Sequence, residues 1–289
     1  MLLKSRYTVL TNVYNEEDRI PRLFDEIEKQ TLLPAHWVLI DDGSTDNTAS
    51  IIETLSSRSP VDIISIQMPQ KTKPDINTVG RSYEKALPVL KDLSSDYGAL
   101  MDVDGRIPSN YFERMLSWLD NHPRIGVVAP KNPKNPALRT MPSGGGKVFR
   151  WAILQQINSV WDLHPDTFLN IIALASGYKI AIRYDIEILA PPTFLWSKEG
   201  HFRRGRRSYY VSRNPLLVIA SAITSALRMG PAHGSALLRG YWQEWVRGSW
   251  NCNIPVVRYY YSLTRLLRKI LQREKDVVFI ESQRGHRYR

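Results

Sequence analysis

Two short acidic runs hold the residues best suited to chemistry: Asp41-Asp42-Gly43-Ser44-Thr45-Asp46 and, about sixty residues on, Asp102-Val103-Asp104-Gly105. Each follows an apolar stretch with strand character, residues 37–40 and 99–101. Carboxylates at the carboxyl ends of parallel strands lie where open α/β sheets bind ligands. Crowded like charges repel, and burying them is costly without a cation or hydrogen-bond donors. A strand-end carboxylate such as Asp42 can accept the ring N–H of a uracil-like base, with Gly43 allowing a tight turn. Asp102 and Asp104, at alternate positions, offer hard oxygen ligands to Mg²⁺ or Mn²⁺ and leave coordination sites for a diphosphate. The first run therefore reads as the grip on a nucleotide, the second as the grip on its metal.

The elements that must position these runs follow from the hydrophobic pattern. Strands are expected at 7–10, 37–41, 61–66, 99–101 and 127–129, and helices at about 20–27, 49–55, 83–90 and 111–119. Asp18, Ser44 or Thr45, and Ser109 are the expected caps of three of these helices. This alternation implies a mostly parallel sheet with right-handed crossovers. Beyond it, residues 131–147 are rich in Pro and Gly and end in Ser143-Gly144-Gly145-Gly146, a loop suited to close backbone approach. Residues 148–157 and 166–175 read as helices and 179–188 as a strand.

The charge is unevenly spread. Residues 198–289 hold 18 Lys/Arg against 5 Asp/Glu, a balance of +13, while the other 197 residues hold 21 against 23. A near-neutral body thus carries a basic extension whose partner is anionic: a lipid surface or a phosphorylated substrate. Nucleic acid is the weakest candidate partner and is not expected, because no helix-turn-helix, zinc or RNA-binding signature is present. The single cysteine, Cys252, permits no internal disulfide, and the first residues lack the apolar core of a signal peptide. The expected location is cytoplasmic. The apolar run 215–227 is too short to span a bilayer, which takes roughly 20 residues. An apolar stripe, Leu263, Leu266, Leu267, Ile270 and Leu271, alternates with Arg265, Arg268, Lys269 and Arg273. It would lie on an anionic membrane face, or else pack on the main domain or on a second subunit in a homodimer.

The motifs resemble those of family 2 glycosyltransferases. The resemblance runs through Val13-Tyr14-Asn15-Glu16-Glu17, Gln30 with Pro34, Val38-Leu39-Ile40-Asp41-Asp42-Gly43-Ser44-Thr45-Asp46-Asn47-Thr48 and Asp102-Val103-Asp104-Gly105, over about the first 190 residues. It implies a GT-A fold, a Rossmann-like α/β domain with a mostly parallel sheet flanked by helices. The catalytic domain is expected over 1–197, with a mainly helical C-terminal extension over 198–289. By the same resemblance Asn12, Tyr14, Glu16 and Asp42 contact the nucleoside, Arg81 and Asp102 meet its diphosphate, and Asp102 and Asp104 hold Mn²⁺ or Mg²⁺. Gly177-Tyr178-Lys179-Ile180 matches a family segment, and stepping back eleven residues gives Asp166 as catalytic base, with Pro165 where the family usually has Glu. Asp162 is the runner-up. Gly144, Gly145, Trp161, His201 and Arg204 complete the candidate acceptor and diphosphate contacts.

The implied reaction is inverting transfer from a nucleotide sugar, uridine-linked, to a hydroxyl of a glycan or lipid-linked acceptor. A polyprenyl-phosphate sugar synthase is the enzymatic alternative, and a degenerate scaffold subunit the non-enzymatic one. A sugar-nucleotide pyrophosphorylase is disfavoured, since the first strand leads into Asn15-Glu16-Glu17 and not into a Gly-rich loop.

Overall fold

The computed structural model describes residues 6–70, 78–131, 141–142, 144–158, 165–189, 196–273 and 276–280. The chain divides into two compact units, Met1–Pro191 with Asp276–Arg289, and Pro192–Lys275.

The first unit is built on one eight-stranded sheet. Its strands are β1 (Tyr7–Val13), β2 (His36–Asp41), β3 (Asp62–Gln67), β4 (Tyr97–Leu100), β5 (Ile125–Lys131), β6 (Lys147–Arg150), β7 (Lys179–Glu187) and β8 (Val277–Ile280). They lie in the order β3-β2-β1-β4-β6-β5-β7-β8. All pairings are parallel except those of β6, which runs antiparallel between β4 and β5. The central strands are covered on both faces, which is why they read as unbroken apolar runs. Val9, Leu10, Trp37, Val38, Leu39, Ile40 and Ala99 are all fully buried.

Helices α1 (Ile20–Glu28), α2 (Thr48–Ser56), α3 (Thr78–Asp92), α4 (Tyr111–Asp120), α5 (Trp151–Gln155) and α6 (Pro165–Ala175) flank the sheet. The faces they bury are those the spacing picks out: Ile20, Leu23, Phe24 and Ile27 on α1, and Tyr111, Phe112, Met115, Leu116 and Leu119 on α4. Phe24 packs on Trp37 with ring centroids 4.6 Å apart. The caps differ from expectation. Arg19, Asn47 and Asn110 occupy the cap positions of α1, α2 and α4, none with a side-chain cap bond. Ser44 is diverted because its hydroxyl serves Asp41 and Asn15 instead.

The segment 148–157, expected as one helix, is divided. Val148 and Phe149 belong to β6 and are fully buried, and helix α5 starts only at Trp151. The pairing is long-range: Phe149 faces Gly98 across β4, where an added Cβ would stand 2.2 Å from the phenyl ring. Arg150 then bonds the carbonyls of Ile125 (2.9 Å) and Leu119 (2.6 Å).

The second unit is helical: α7 (Lys198–Tyr210), α8 (Pro215–Met229), α9 (Pro231–Val246), α10 (Pro255–Tyr260) and α11 (Leu263–Gln272). Proline opens α8, α9 and α10, where its missing N–H does no harm. Ser197, Asn214 and Ser262 cap α7, α8 and α11 through their side chains. Helices α7 and α9 approach so closely that a Cβ on Gly205 would lie 2.0 Å from the Leu237 carbonyl oxygen, and one on Gly240 2.0 Å from that of Phe202. Among the described residues no helix is long and apolar enough to cross a membrane.

Candidate active site

Parallel pairing brings the two acidic runs together. Val13 lies beside Asp41, Leu10 beside Leu100, and the Met101 amide donates to the Leu10 carbonyl (3.0 Å). Asn12, Asp42 and Asp102 therefore emerge along one carboxyl-terminal edge of β2, β1 and β4.

The first run and the β1 loop lock each other. Asp41, 1% exposed, accepts from the Ser44 amide (2.9 Å) and the Ser44 hydroxyl (2.6 Å). The Asn15 amide donates to Ser44 Oγ (2.9 Å), and Asn15 Oδ1 accepts from the Thr45 amide (2.8 Å). The Glu16 amide donates to Thr48 Oγ1 (2.8 Å), and the Glu17 carboxylate accepts from the Asn47 amide (2.9 Å). Gly43 is required here: its φ is +80°, and a Cβ would fall 2.4 Å from the Pro69 carbonyl oxygen. Asp46 and Asn47 thus serve the scaffold, Asp46 accepting from the Glu17 and Thr48 amides. Asp42 accepts from the Ser82 hydroxyl (2.6 Å) at the start of α3. The Nδ2 of Asn12 is buried with no hydrogen-bond partner, a donor in want of an acceptor. Tyr14, in the loop that follows β1, is 43% exposed. Glu16 is engaged by Arg19 (2.6 Å). Arg81 is exposed on α3, next to Ser82.

The second run meets two elements from later in the chain. A Cβ on Gly145 would lie 2.9 Å from Asp102 Oδ2, and one on Gly144 3.5 Å from that oxygen and 3.8 Å from Asp166 Oδ2. The Gly-rich turn thus lets both carboxylates approach one point of backbone. The turn is held from behind by Tyr111, whose hydroxyl donates to the Gly146 carbonyl, with Gly146 at φ +73°. Asp102 opens to solvent yet is otherwise enclosed by protein. That enclosure, with the neighbouring Asp104 and Asp166 charges, pushes its pKa up to about 7, against the opposing pull of Lys147. Asp166 stands in the first turn of α6, where the helix dipole favours a negative charge.

Lys147 was not singled out by the sequence reading. It is 0% exposed, the first residue of β6, and its Nζ donates to the Asp166 carbonyl oxygen (2.5 Å). Burial lowers its pKa to about 8, opposed by Asp166 and Asp102. Tyr83 of α3 also feels Asp102 and Asp166, and burial carries its pKa far up. Nothing in local sequence marks these residues, because their partners lie on other elements.

The donor set fits a divalent cation. Carboxylates held together until one of them resists ionisation are in a state that a cation relieves. Among the described residues no three His, Cys, Asp or Glu side chains converge as a self-sufficient metal site. A cation here would take Asp102 and Asp104 and complete its shell from phosphate oxygens and water, as Mg²⁺ and Mn²⁺ do.

The remaining candidates belong to other parts of the chain. His201 and Arg204 belong to α7 of the second unit. His201 is 2% exposed, with Nδ1 3.0 Å from the Ser197 carbonyl oxygen and its ring edge-on to His233. Trp161 and Asp162 lie outside the described residues.

Comparison with known proteins bears on the family and the fold. Two poly-β-1,6-N-acetyl-D-glucosamine synthases from strains of Staphylococcus aureus are 26% identical to this chain over 141 residues, 49% of this chain and 31% of theirs. The match thus covers under a third of those relatives' length. Among solved structures, the mannosyltransferase PcManGT from Pyrobaculum calidifontis, in complex with GDP-Man and Mn²⁺, superposes with a TM-score of 0.60 at 17% identity, covering 93% of this chain and 81% of its own. S. aureus TarS 1–349 in complex with UDP-GlcNAc gives 0.50 at 17% identity, covering 84% and 73%. These likenesses concern the fold, a GT-A architecture with a C-terminal helical region. The family model for Glycosyl transferase family 2 matches residues 8–169, the span holding both acidic runs, the Gly-rich turn and Asp166. The chain belongs to glycosyltransferase family 2.

Proposed function

We propose that the protein is an inverting, metal-dependent glycosyltransferase that moves a sugar from a uridine diphosphate sugar to a hydroxyl of a glycan or lipid-linked acceptor. The observation that carries this reading is the meeting of Asp102 and Asp166 over Gly144 and Gly145. The two carboxylates that this reading assigns to the metal and to the base lie near one stretch of backbone.

In this reading Tyr14 stacks on the base, Asp42 accepts its ring N–H, and Asn12 Nδ2 finds the acceptor that it lacks. Ser82 fixes the Asp42 carboxylate by its 2.6 Å bond. Arg81, exposed on the neighbouring turn, meets the diphosphate. Asp102 and Asp104 hold Mn²⁺ or Mg²⁺, which when bound neutralises charge on the departing nucleoside diphosphate. Asp166 takes the acceptor hydroxyl proton as that oxygen attacks the anomeric carbon from the face opposite the leaving group. Gly144 and Gly145, lacking side chains, leave room for the donor sugar or acceptor between the two carboxylates. Lys147 anchors the turn that carries Asp166. Peripheral contact with an anionic membrane face would bring the enzyme to a lipid-linked acceptor.

The test is release of nucleoside diphosphate from a panel of UDP- and GDP-sugars with and without Mn²⁺. Turnover of a UDP-sugar that vanishes on chelation supports the reading. Turnover confined to GDP-sugars would overturn the uridine assignment, and undiminished turnover in chelator would overturn the metal assignment.

A further inference from the structure

Apolar side chains are exposed in one part of this molecule far more than elsewhere. Among the described residues, 14 of the 17 large apolar side chains that stay exposed fall between Leu216 and Leu271. Helix α8 turns Val218, Ala222 and Ser225 inward, while Leu216, Ile219, Ile223 and Leu227 form an outward stripe at helical spacing, 65, 45, 55 and 82% exposed. The inward face packs on α9, where a Cβ on Gly234 would lie 2.5 Å from the Ala222 carbonyl oxygen. Helix α8 is thus fully provided with an inner face, and the stripe is a second one. Helix α9 ends in exposed Trp242 and Trp245, ring centroids 4.6 Å apart, followed by exposed Trp250. Helix α11 buries no residue at all. It leaves Leu267, Ile270 and Leu271 exposed between Arg265, Arg268 and Lys269.

Charge selects the occupant. Residues 192–275 hold 15 Lys/Arg against 3 Asp/Glu, a balance of +12. Both acids among the described residues of this unit are paired with arginine, Glu199 with Arg203 (2.9 Å) and Glu244 with Arg206 (2.5 Å). A second copy would set like charge against like. An anionic bilayer presents the opposite sign over an apolar interior, and tryptophan settles at such interfaces.

We propose that the α8 stripe, the Trp242–Trp245–Trp250 group and α11 form a docking surface for an anionic lipid bilayer. The apolar side chains enter the acyl boundary, and the α11 cations sit among the headgroups. No spanning helix is needed. The inference gives a surface to the membrane contact of the proposed function, and its test uses no sugar donor, so a failed transfer assay leaves it standing.

The experiment is co-sedimentation of the full chain with vesicles of phosphatidylcholine, alone or mixed with phosphatidylglycerol, together with tryptophan emission. The wild type is expected to pellet with the anionic vesicles and its emission to shift to the blue. Ile219→Ser/Ile223→Ser/Leu227→Ser lowers partitioning about tenfold. Arg265→Gln/Arg268→Gln/Lys269→Gln abolishes the preference for anionic over zwitterionic vesicles. The serine variant keeps the wild-type melting temperature without lipid, because Ile219, Ile223 and Leu227 are exposed. The proposal is overturned if the wild type stays in the supernatant, or if the serine variant partitions unchanged. Retained anionic preference in the glutamine variant overturns it too. So does a serine variant that melts early or dissociates a dimer in the absence of lipid, since the face would then be covered by protein.

Discussion

Replacing Lys147 by Met separates stability from catalysis at this site. The lysine is fully buried, and its pKa falls from 10.5 to about 8, chiefly through burial. A shift of about 2.5 units corresponds to about 3 kcal/mol by which folding disfavours the charged form. The sign follows from proton counts. Between pH 8 and 10.5 the unfolded chain binds more protons at this residue than the folded one, so its contribution to stability rises with pH there. The penalty is fully present at pH 7. Methionine has nearly the same length and removes that penalty, while forfeiting a charged hydrogen bond to the Asp166 carbonyl of about 1.5–3 kcal/mol. The two terms nearly cancel, so urea unfolding at pH 7 should place the variant within about 2 kcal/mol of wild type. Catalysis has no such cancellation. The first turn of α6 loses its anchor, and a misplacement of about 1 Å in a reacting group can lower the rate about 100-fold. The expected result is a kcat reduced at least tenfold with donor KM little changed, and wild-type stability that rises from pH 8 to 10 while that of the variant does not. A variant folded like wild type with undiminished kcat would refute the anchoring role. A loss of stability above about 5 kcal/mol would refute the cancellation.

Other substitutions probe separate links. Ser82→Ala removes the hydroxyl that fixes Asp42 and should raise donor KM several-fold at nearly constant kcat, in steady-state kinetics. Gly145→Ala drives a Cβ to 2.9 Å from Asp102 Oδ2 and should lower turnover at least tenfold, with a melting temperature near that of wild type. Gly43→Ala meets both a positive φ and the Pro69 carbonyl at 2.4 Å, so calorimetry should show a loss of about 2–4 kcal/mol together with nucleotide binding. Asp104→Ala should abolish Mn²⁺ stimulation while nucleotide binding without metal persists.

The placement of the two acidic runs at strand ends was legible because its information is local. Asp41, Asp42 and Asp102 lie at the ends of apolar runs, and a parallel sheet sets such ends side by side whatever the rest of the chain does. The Gly43 turn and the faces of α1 and α4 are local for the same reason. What escaped the reading is set by long-range pairing. Residues 148–157 carry enough apolar spacing for a helix, but Val148 and Phe149 gain more by filling the gap between β4 and β5 over Gly98. Lys147 carries no local mark, since both carboxylates that act on it come from distant segments. The strand Val277–Ile280 returns from beyond the helical unit to pair with β7, which no pattern within those four residues foretells. The helix caps missed for a smaller reason: Ser44 had a better use in the loop, closing the Asp41 turn.

The central claim is that Asp166 acts as base toward an acceptor hydroxyl, beside a donor held by Asp42, Asp102 and Asp104. Comparing Asp166→Asn with wild type in Mn²⁺-dependent transfer, with nucleotide affinity measured on the same preparations, tests it directly. The account predicts that the variant binds UDP as wild type does and transfers at least 100-fold more slowly. Transfer at nearly the wild-type rate would contradict it, and would point to an acceptor already ionised, such as a lipid phosphate.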